Sequence, residues 1–215
     1  MARALDLVGE RWTLLIVREL LLGPRRYRDL LEHLDGITTN LLAKRLREMV
    51  RAGLVEKRSA PRPATGELYA LTPEGRALEP VVTELGRWGW KLLQNPRRGD
   101  QRNIGWALFS MKRRYGGGVE AVVEIEAGDR RFELTFTKER LHVEEKASER
   151  ATARVRSGDQ QRFFELFFRG ASLAALEQSG AMAISGDRET MLAALAALGA
   201  TPDGSAKVDA SRDVS

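Results

Sequence analysis

The sequence predicts an α+β chain in two parts: a helical first half interrupted by one β-hairpin, then an antiparallel sheet covered by helices on one face. Three observations carry this. Apolar residues recur at helical spacing through most of residues 1–95. The stretch Gln94-Asn95-Pro96-Arg97-Arg98-Gly99-Asp100-Gln101-Arg102-Asn103 then reads as a linker. From Val119 onward apolar residues alternate with charged residues or Thr, the period of strands with one buried and one wet face. The expected organisation is 1–95, a linker at 96–103, a second domain at 104–199 and a disordered tail at 200–215, which is polar and nearly devoid of apolar residues.

Each element follows in order. Ala4–Val8 forms a short helix ending at Gly9, and Arg11–Leu22 a strongly apolar one stopped by Gly23-Pro24. Tyr27, Leu30, Leu31 and Leu34 mark a short amphipathic helix, which Asp35-Gly36-Ile37 breaks. Thr38 is placed to cap the next helix. There Leu42, Leu46, Met49 and Val50 form one face, while Asn40, Lys44, Arg47 and Arg51 form the other. Two short helices joined by a tight Gly-containing turn, the second basic, describe a helix-turn-helix. Asn suits adenine, and Arg or Lys suits guanine and phosphate, so the polar face has the chemistry of a major-groove reader. Gly53 ends this helix. Leu54–Ser59 and Leu68–Thr72 read as strands around Ala60–Glu67, whose prolines and glycine stop pairing and leave a long basic tip, a wing. Thr72-Pro73 then starts a helix whose stripe of Leu78, Val81, Val82, Leu85, Trp88, Leu92 and Leu93 runs to about residue 94.

Beyond the linker, Ile104, Ala107, Leu108 and Met111 predict a helix over 104–115, and Gly116-Gly117-Gly118 breaks it. Strands follow at Val119–Ile125, Phe132–Phe136, Leu141–Val143 and Ala151–Val155. Gly128-Asp129 and the short Lys138-Glu139 connection suit hairpins of a meander. Helices at 159–169, 171–179 and 187–198, with a short strand at Met182–Ile184, complete the second half.

Composition narrows the function. The chain has no cysteine, which excludes disulfides, thiol switching and cysteine-ligated zinc. No apolar run approaches a membrane span and the first residues lead into an amphipathic helix rather than a signal peptide, so a soluble, cytoplasmic protein without membrane contact is expected. Residues 1–95 hold 16 basic against 12 acidic side chains, residues 96–115 hold 6 against 1, and residues 116–215 hold 13 against 17. Only the first half and the linker look built for polyanions. His33 and His142 are the only histidines, no nucleophile motif is present, and no spacing suggests a metal. No enzyme, cofactor or metal is expected. Glu144 and Glu145 read as a solvated strand edge, and the triple glycine, lacking a following Lys-Ser/Thr, as a break rather than a phosphate loop.

Residues 2–95 resemble the HxlR-type regulators, a branch of the MarR-like winged-helix proteins of bacteria. The matching pieces are Ala4-Leu5-Asp6-Leu7-Val8-Gly9-Glu10-Arg11-Trp12, Arg26–Leu30, Ile37-Thr38 with Leu42, Arg45-Leu46, Gly53-Leu54-Val55 and Tyr69-Ala70-Leu71-Thr72-Pro73-Glu74-Gly75. The resemblance implies a DNA-binding transcriptional regulator that dimerises through its first and last helices. Two departures stand out: the cysteine usual before the first helix is missing, and a position commonly Lys is Asn40. Residues 104–199 look like a sterol-carrier-protein-like domain, on the strength of Phe163–Gly170 and of Met182-Ala183-Ile184-Ser185-Gly186-Asp187 leading into a last helix. Similar domains enclose a cavity for hydrophobic compounds.

The candidate residues follow. For double-stranded DNA they are Thr38, Thr39, Asn40, Lys44, Arg45 and Arg47 on the second helix of the motif, with Arg25, Arg26, Arg58 and Arg62 as backbone grips. For a homodimer they are Leu5, Leu7, Trp88, Trp90, Leu92 and Leu93; packing within the monomer is the plainer alternative for the tryptophans. For a hydrophobic effector they are Trp106, Phe109, Phe132, Phe136, Phe163, Phe167 and Met182, against a plain core. A regulator on a pseudo-palindromic operator is the leading reading. A hydrophobic-ligand carrier whose winged domain mediates protein contacts is the other.

Overall fold

The computed structural model describes residues 1–60, 65–89 and 103–200. The chain groups into two compact units, Met1–Asp100 and Gln101–Ser215. In the first, α1 (Ala2–Val8), α2 (Arg11–Leu21), α3 (Tyr27–His33) and α4 (Thr39–Arg51) precede the hairpin β1 (Val55–Ser59) and β2 (Glu67–Leu71), and α5 (Pro73–Arg76) and α6 (Glu79–Gly89) follow. Ile16, Val17 and Leu20 of α2 pack with Leu30, Leu42 and Leu46, all essentially inaccessible, so α2 is the central pillar. The hairpin pairs in register from Val55 with Leu71 to Ser59 with Glu67. Arg25 joins its other edge by exchanging both main-chain hydrogen bonds with Tyr69, at 2.9 and 2.7 Å.

Gly53, at φ +71°, closes α4: its N–H donates to Val50 and that of Leu54 to Met49, satisfying two terminal carbonyls. Thr72 caps α5 by accepting from Gly75 and donating to the Gly53 carbonyl, so one hydroxyl joins the end of α4 to the start of α5. The single helix expected from Pro73 is instead two, interrupted at Ala77 and Leu78. Pro80 has no N–H to return to the carbonyl of Arg76, and its ring crowds that position.

The second unit runs α7 (Ile104–Met111), β3 (Ala121–Ala127), β4 (Arg130–Phe136), β5 (Leu141–Glu145), β6 (Ala153–Ser157), α8 (Gln161–Phe168), α9 (Leu173–Gln178), β7 (Ala183–Gly186) and α10 (Arg188–Ala197). The sheet order is β5-β4-β3-β6-β7. It is not a simple meander, because β6 lies parallel to β3. The segment 146–152 must therefore cross the sheet to reach the far side of β3. Its Ser148 N–H donates to Glu124 and its hydroxyl to Glu133, two cross-strand neighbours.

This crossing corrects the expectation of a uniformly wet face. Glu124 and Glu133 are buried beneath the strap, and Arg150, Lys146 and Arg154 supply the compensating charge. Burial alone would push the Glu133 carboxyl up, but the hydrogen bonds from Arg150, Ser148 and Lys146 outweigh it and hold the group at about 2. Glu145 is likewise no solvated edge residue: it takes a two-pronged pair from Arg130 at 2.8 and 2.6 Å. Arg130 also donates to Asn103, the cap of α7. The opposite face buries Val123, Ile125, Phe132, Leu134, Val143 and Val155, with α10 packed on β3 and β6.

Candidate nucleic-acid interface

The site is built on α3, the turn and α4. Asp29 accepts from the Arg26 N–H at the start of α3, and Gly36, at φ +84°, makes the turn that only glycine adopts without strain. Ile37 is buried and anchors the turn, and Thr38 accepts from Leu41 N–H to begin α4. Tyr27, which sequence reasoning placed only on the apolar stripe of α3, donates its hydroxyl to the Thr39 carbonyl at 2.6 Å. It thereby fixes the angle between the two helices.

On α4, Leu42, Leu46 and Met49 are buried, whereas Val50, expected with them, is 36% exposed because it lies past the edge of the stripe near the helix end. The opposite face presents Thr38, Thr39, Asn40, Lys44, Arg47 and Arg51 to solvent. Lys44 is held only loosely by Glu48, at 3.9 Å. The result is one amide and three cations on a single exposed helix face, with nothing apolar among them.

Two candidates are placed differently. Arg45 is only 13% exposed and its guanidinium pairs with Glu10 at 2.8 Å and Glu48 at 2.7 Å. It fastens α4 to the start of α2 instead of pointing outward. Arg25 is 6% exposed because its backbone is the third rung of the wing, which draws the side chain inside. Sequence spacing could not reveal either, since both depend on partners distant in the chain. Arg26 is exposed and donates to the Thr65 carbonyl near the wing tip, at 2.8 Å. Arg58 is exposed on β1 and pairs with Glu56, and Arg62 lies outside the described residues. Lys57, not singled out from the sequence, pairs with Glu67 across the hairpin; that hydrogen bond holds its ammonium above the ordinary lysine value.

Of the interface candidates, Leu5 and Leu7 are each 54% exposed and Trp88 69%, and Val81 and Leu85 lie open beside Trp88 on α6. Trp90, Leu92 and Leu93 lie outside the described residues. In the second unit, Phe109, Phe132, Phe136, Phe163, Phe167 and Met182 are buried and Trp106 is half-buried. Trp106 and Phe109 adjoin at 5.1 Å, Phe163 and Phe167 stack at 6.2 Å, and Phe136 meets Tyr115 edge-on at 5.3 Å. α7 and α8 pack together, which brings the first two pairs into one layer. Among the described residues no cluster of His, Cys, Asp or Glu suits a metal ion, and no helix is long and apolar enough to cross a membrane.

Residues 7–96 match the family described as HxlR-like helix-turn-helix. An uncharacterized HTH-type transcriptional regulator of Mycobacterium bovis is 43% identical over 94 residues, covering 44% of this chain and 59% of the relative. The HTH-type transcriptional regulator YodB of Bacillus subtilis is 35% identical over 88 residues, covering 41% of this chain and 79% of YodB. The structure of YodB in its reduced form superposes with a TM-score of 0.39 at 33% identity, over 44% of this chain and 92% of that one. These relatives are transcriptional regulators, not enzymes. The chain spans somewhat over half the length of the mycobacterial relative, and the family match ends at residue 96, before the second unit. With the match running from α1 through the motif and the wing to α6, the chain belongs to the HxlR-like helix-turn-helix family.

Proposed function

We propose that this protein is a bacterial, cytoplasmic transcriptional regulator that binds a pseudo-palindromic DNA operator as a homodimer, with α4 entering the major groove. The observation that carries the reading is the face of α4: Asn40, Lys44 and Arg47 project from a helix anchored behind by Leu42, Leu46 and Met49. Arg26 and Arg58 flank it and grip phosphates, with Arg62 assigned the same role. The exposed apolar side chains of α1 and α6, Leu5, Leu7, Val81, Leu85 and Trp88, support dimerisation, because a monomer leaving them open would carry a patch prone to association. A two-fold dimer places its reading helices about 34–36 Å apart. The second unit is sterol-carrier-like, and the aromatic layer of Trp106, Phe109, Phe163 and Phe167 supports an apolar effector as its ligand.

The test is a mobility shift on promoter fragments neighbouring the protein's own gene. Asn40→Ala and Arg47→Ala should each weaken operator binding by roughly 1–3 kcal/mol and relax preference at one base pair. Unchanged affinity and preference in both variants would show that α4 is not the reader. The effector arm repeats the measurement with the full chain and a fluorescent fatty acid; an operator affinity indifferent to a bound fatty acid removes the sensing role.

A further inference from the structure

The cations of the second unit divide sharply. Arg130, Arg131, Lys146, Arg150, Arg154, Arg162 and Arg188 each face a carboxylate partner. Arg113, Arg114 and Arg140 are exposed, and their guanidinium groups have no partner among the described residues. Arg156 and Arg169 share that state but lie elsewhere, on β6 and at the end of α8.

The fold brings the two turns that carry the first three against each other. Arg113 and Arg114 sit in the turn after α7, and Arg140 in the turn between β4 and β5. The buried Tyr115 hydroxyl lies 2.9 Å from the Thr137 carbonyl and 2.8 Å from that of Val119. Gly118 N–H donates to the Lys138 carbonyl, and a Cβ on Gly117 would stand 2.3 Å from that same oxygen. Glycine is thus required for the two turns to meet so closely. Lys112 and Lys138 complete the corner, while Glu120, 3.9 Å from Lys138, and Glu139 offset it only in part. The dipole of α7 accounts for cations at residues 112–114 but not for those of the β4–β5 turn.

We propose that this basic corner of the second unit is a separate, sequence-independent contact to the phosphate backbone of double-stranded DNA. The proposal rests on the reading of the protein as DNA-binding and extends it to a unit outside the family match. Exposed guanidinium groups with no carboxylate to neutralise them are free to pair with phosphates, and each such contact releases counterions from the duplex.

The test is the slope of log affinity against log salt for the full chain on a mixed-sequence duplex of about 60 base pairs, or roughly six helical turns. Arg113→Ala, Arg114→Ala and Arg140→Ala combined should make the slope shallower by about 2–3 per protomer, at about 0.9 per lost phosphate contact, without altering sequence preference. Arg156→Ala with Arg169→Ala should leave the slope as it was. A triple variant with the wild-type slope overturns the proposal. So does a triple variant that keeps that slope yet loses co-sedimentation with phosphatidylserine vesicles, which would assign the corner to a membrane. If the wild-type chain binds no DNA, the reading of α4 fails as well. If it binds DNA and only Arg47→Ala weakens it, this inference alone fails.

Discussion

Replacing Arg45 by Ala separates two roles that a basic residue on a recognition helix can have. Its side chain is 13% exposed and bridges Glu10, 60% exposed, and Glu48, 39% exposed. Pairs this open to solvent contribute about 0.2–1 kcal/mol each, and Glu10 belongs at the lower end. The largely buried methylene stem adds packing at about 0.8 kcal/mol per CH₂ fully removed from water. Arg45→Ala should therefore destabilise the first unit by roughly 1–2 kcal/mol in all. Hydrogen exchange of the α4 amides measures this locally, and their protection should fall about 5- to 30-fold, the same energy expressed as an equilibrium constant. A Glu10→Ala, Arg45→Ala double-mutant cycle should give a coupling of about 0.5 kcal/mol. The salt slope of DNA binding should stay constant, because Arg45 already has its carboxylates. Unchanged exchange together with a slope shallower by about 0.9 would refute the fastening role and make Arg45 a phosphate contact.

Trp88→Ala should weaken self-association by at least about tenfold in sedimentation, since a buried Trp covers some 150–250 Å²; unchanged association would place the interface elsewhere. Gly75→Ala should destabilise the first unit by about 1–3 kcal/mol in urea, because its Cβ would lie 2.0 Å from the Leu54 carbonyl oxygen, a clash only backbone movement relieves. The Glu133 carboxyl, held at about 2 against an ordinary 4.5, adds stability that is complete above the ordinary value and lost as pH falls from about 4.5 toward 2. Acid unfolding followed by circular dichroism should show this limb, and Glu133→Gln should flatten it; an identical acid limb in the variant would mean that the strap does not stabilise the ionised form.

Local chemistry was readable directly from the chain. The amphipathic stripe of α4, the Thr38 and Thr72 caps, the glycine stop at Gly53 and the hairpin around the proline-rich tip each depend on residues within a few positions of one another. Propensity, capping and period act over that distance, so these elements and the exposed face of Asn40, Lys44 and Arg47 were legible without coordinates. The break at Ala77 and Leu78 is equally local, written in Pro80, but the apolar stripe runs on across it and conceals it. Long-range pairing was not legible. That β6 joins β3 in parallel depends on a crossing segment whose polar residues look like any loop until Ser148 meets Glu124 and Glu133. Arg45 and Arg25 have the sequence character of DNA contacts. Tertiary structure alone turns one onto Glu10 and draws the other beneath the wing, because a cation's role is set by which charges and solvent it meets in space, and period along a helix records only the face from which it starts.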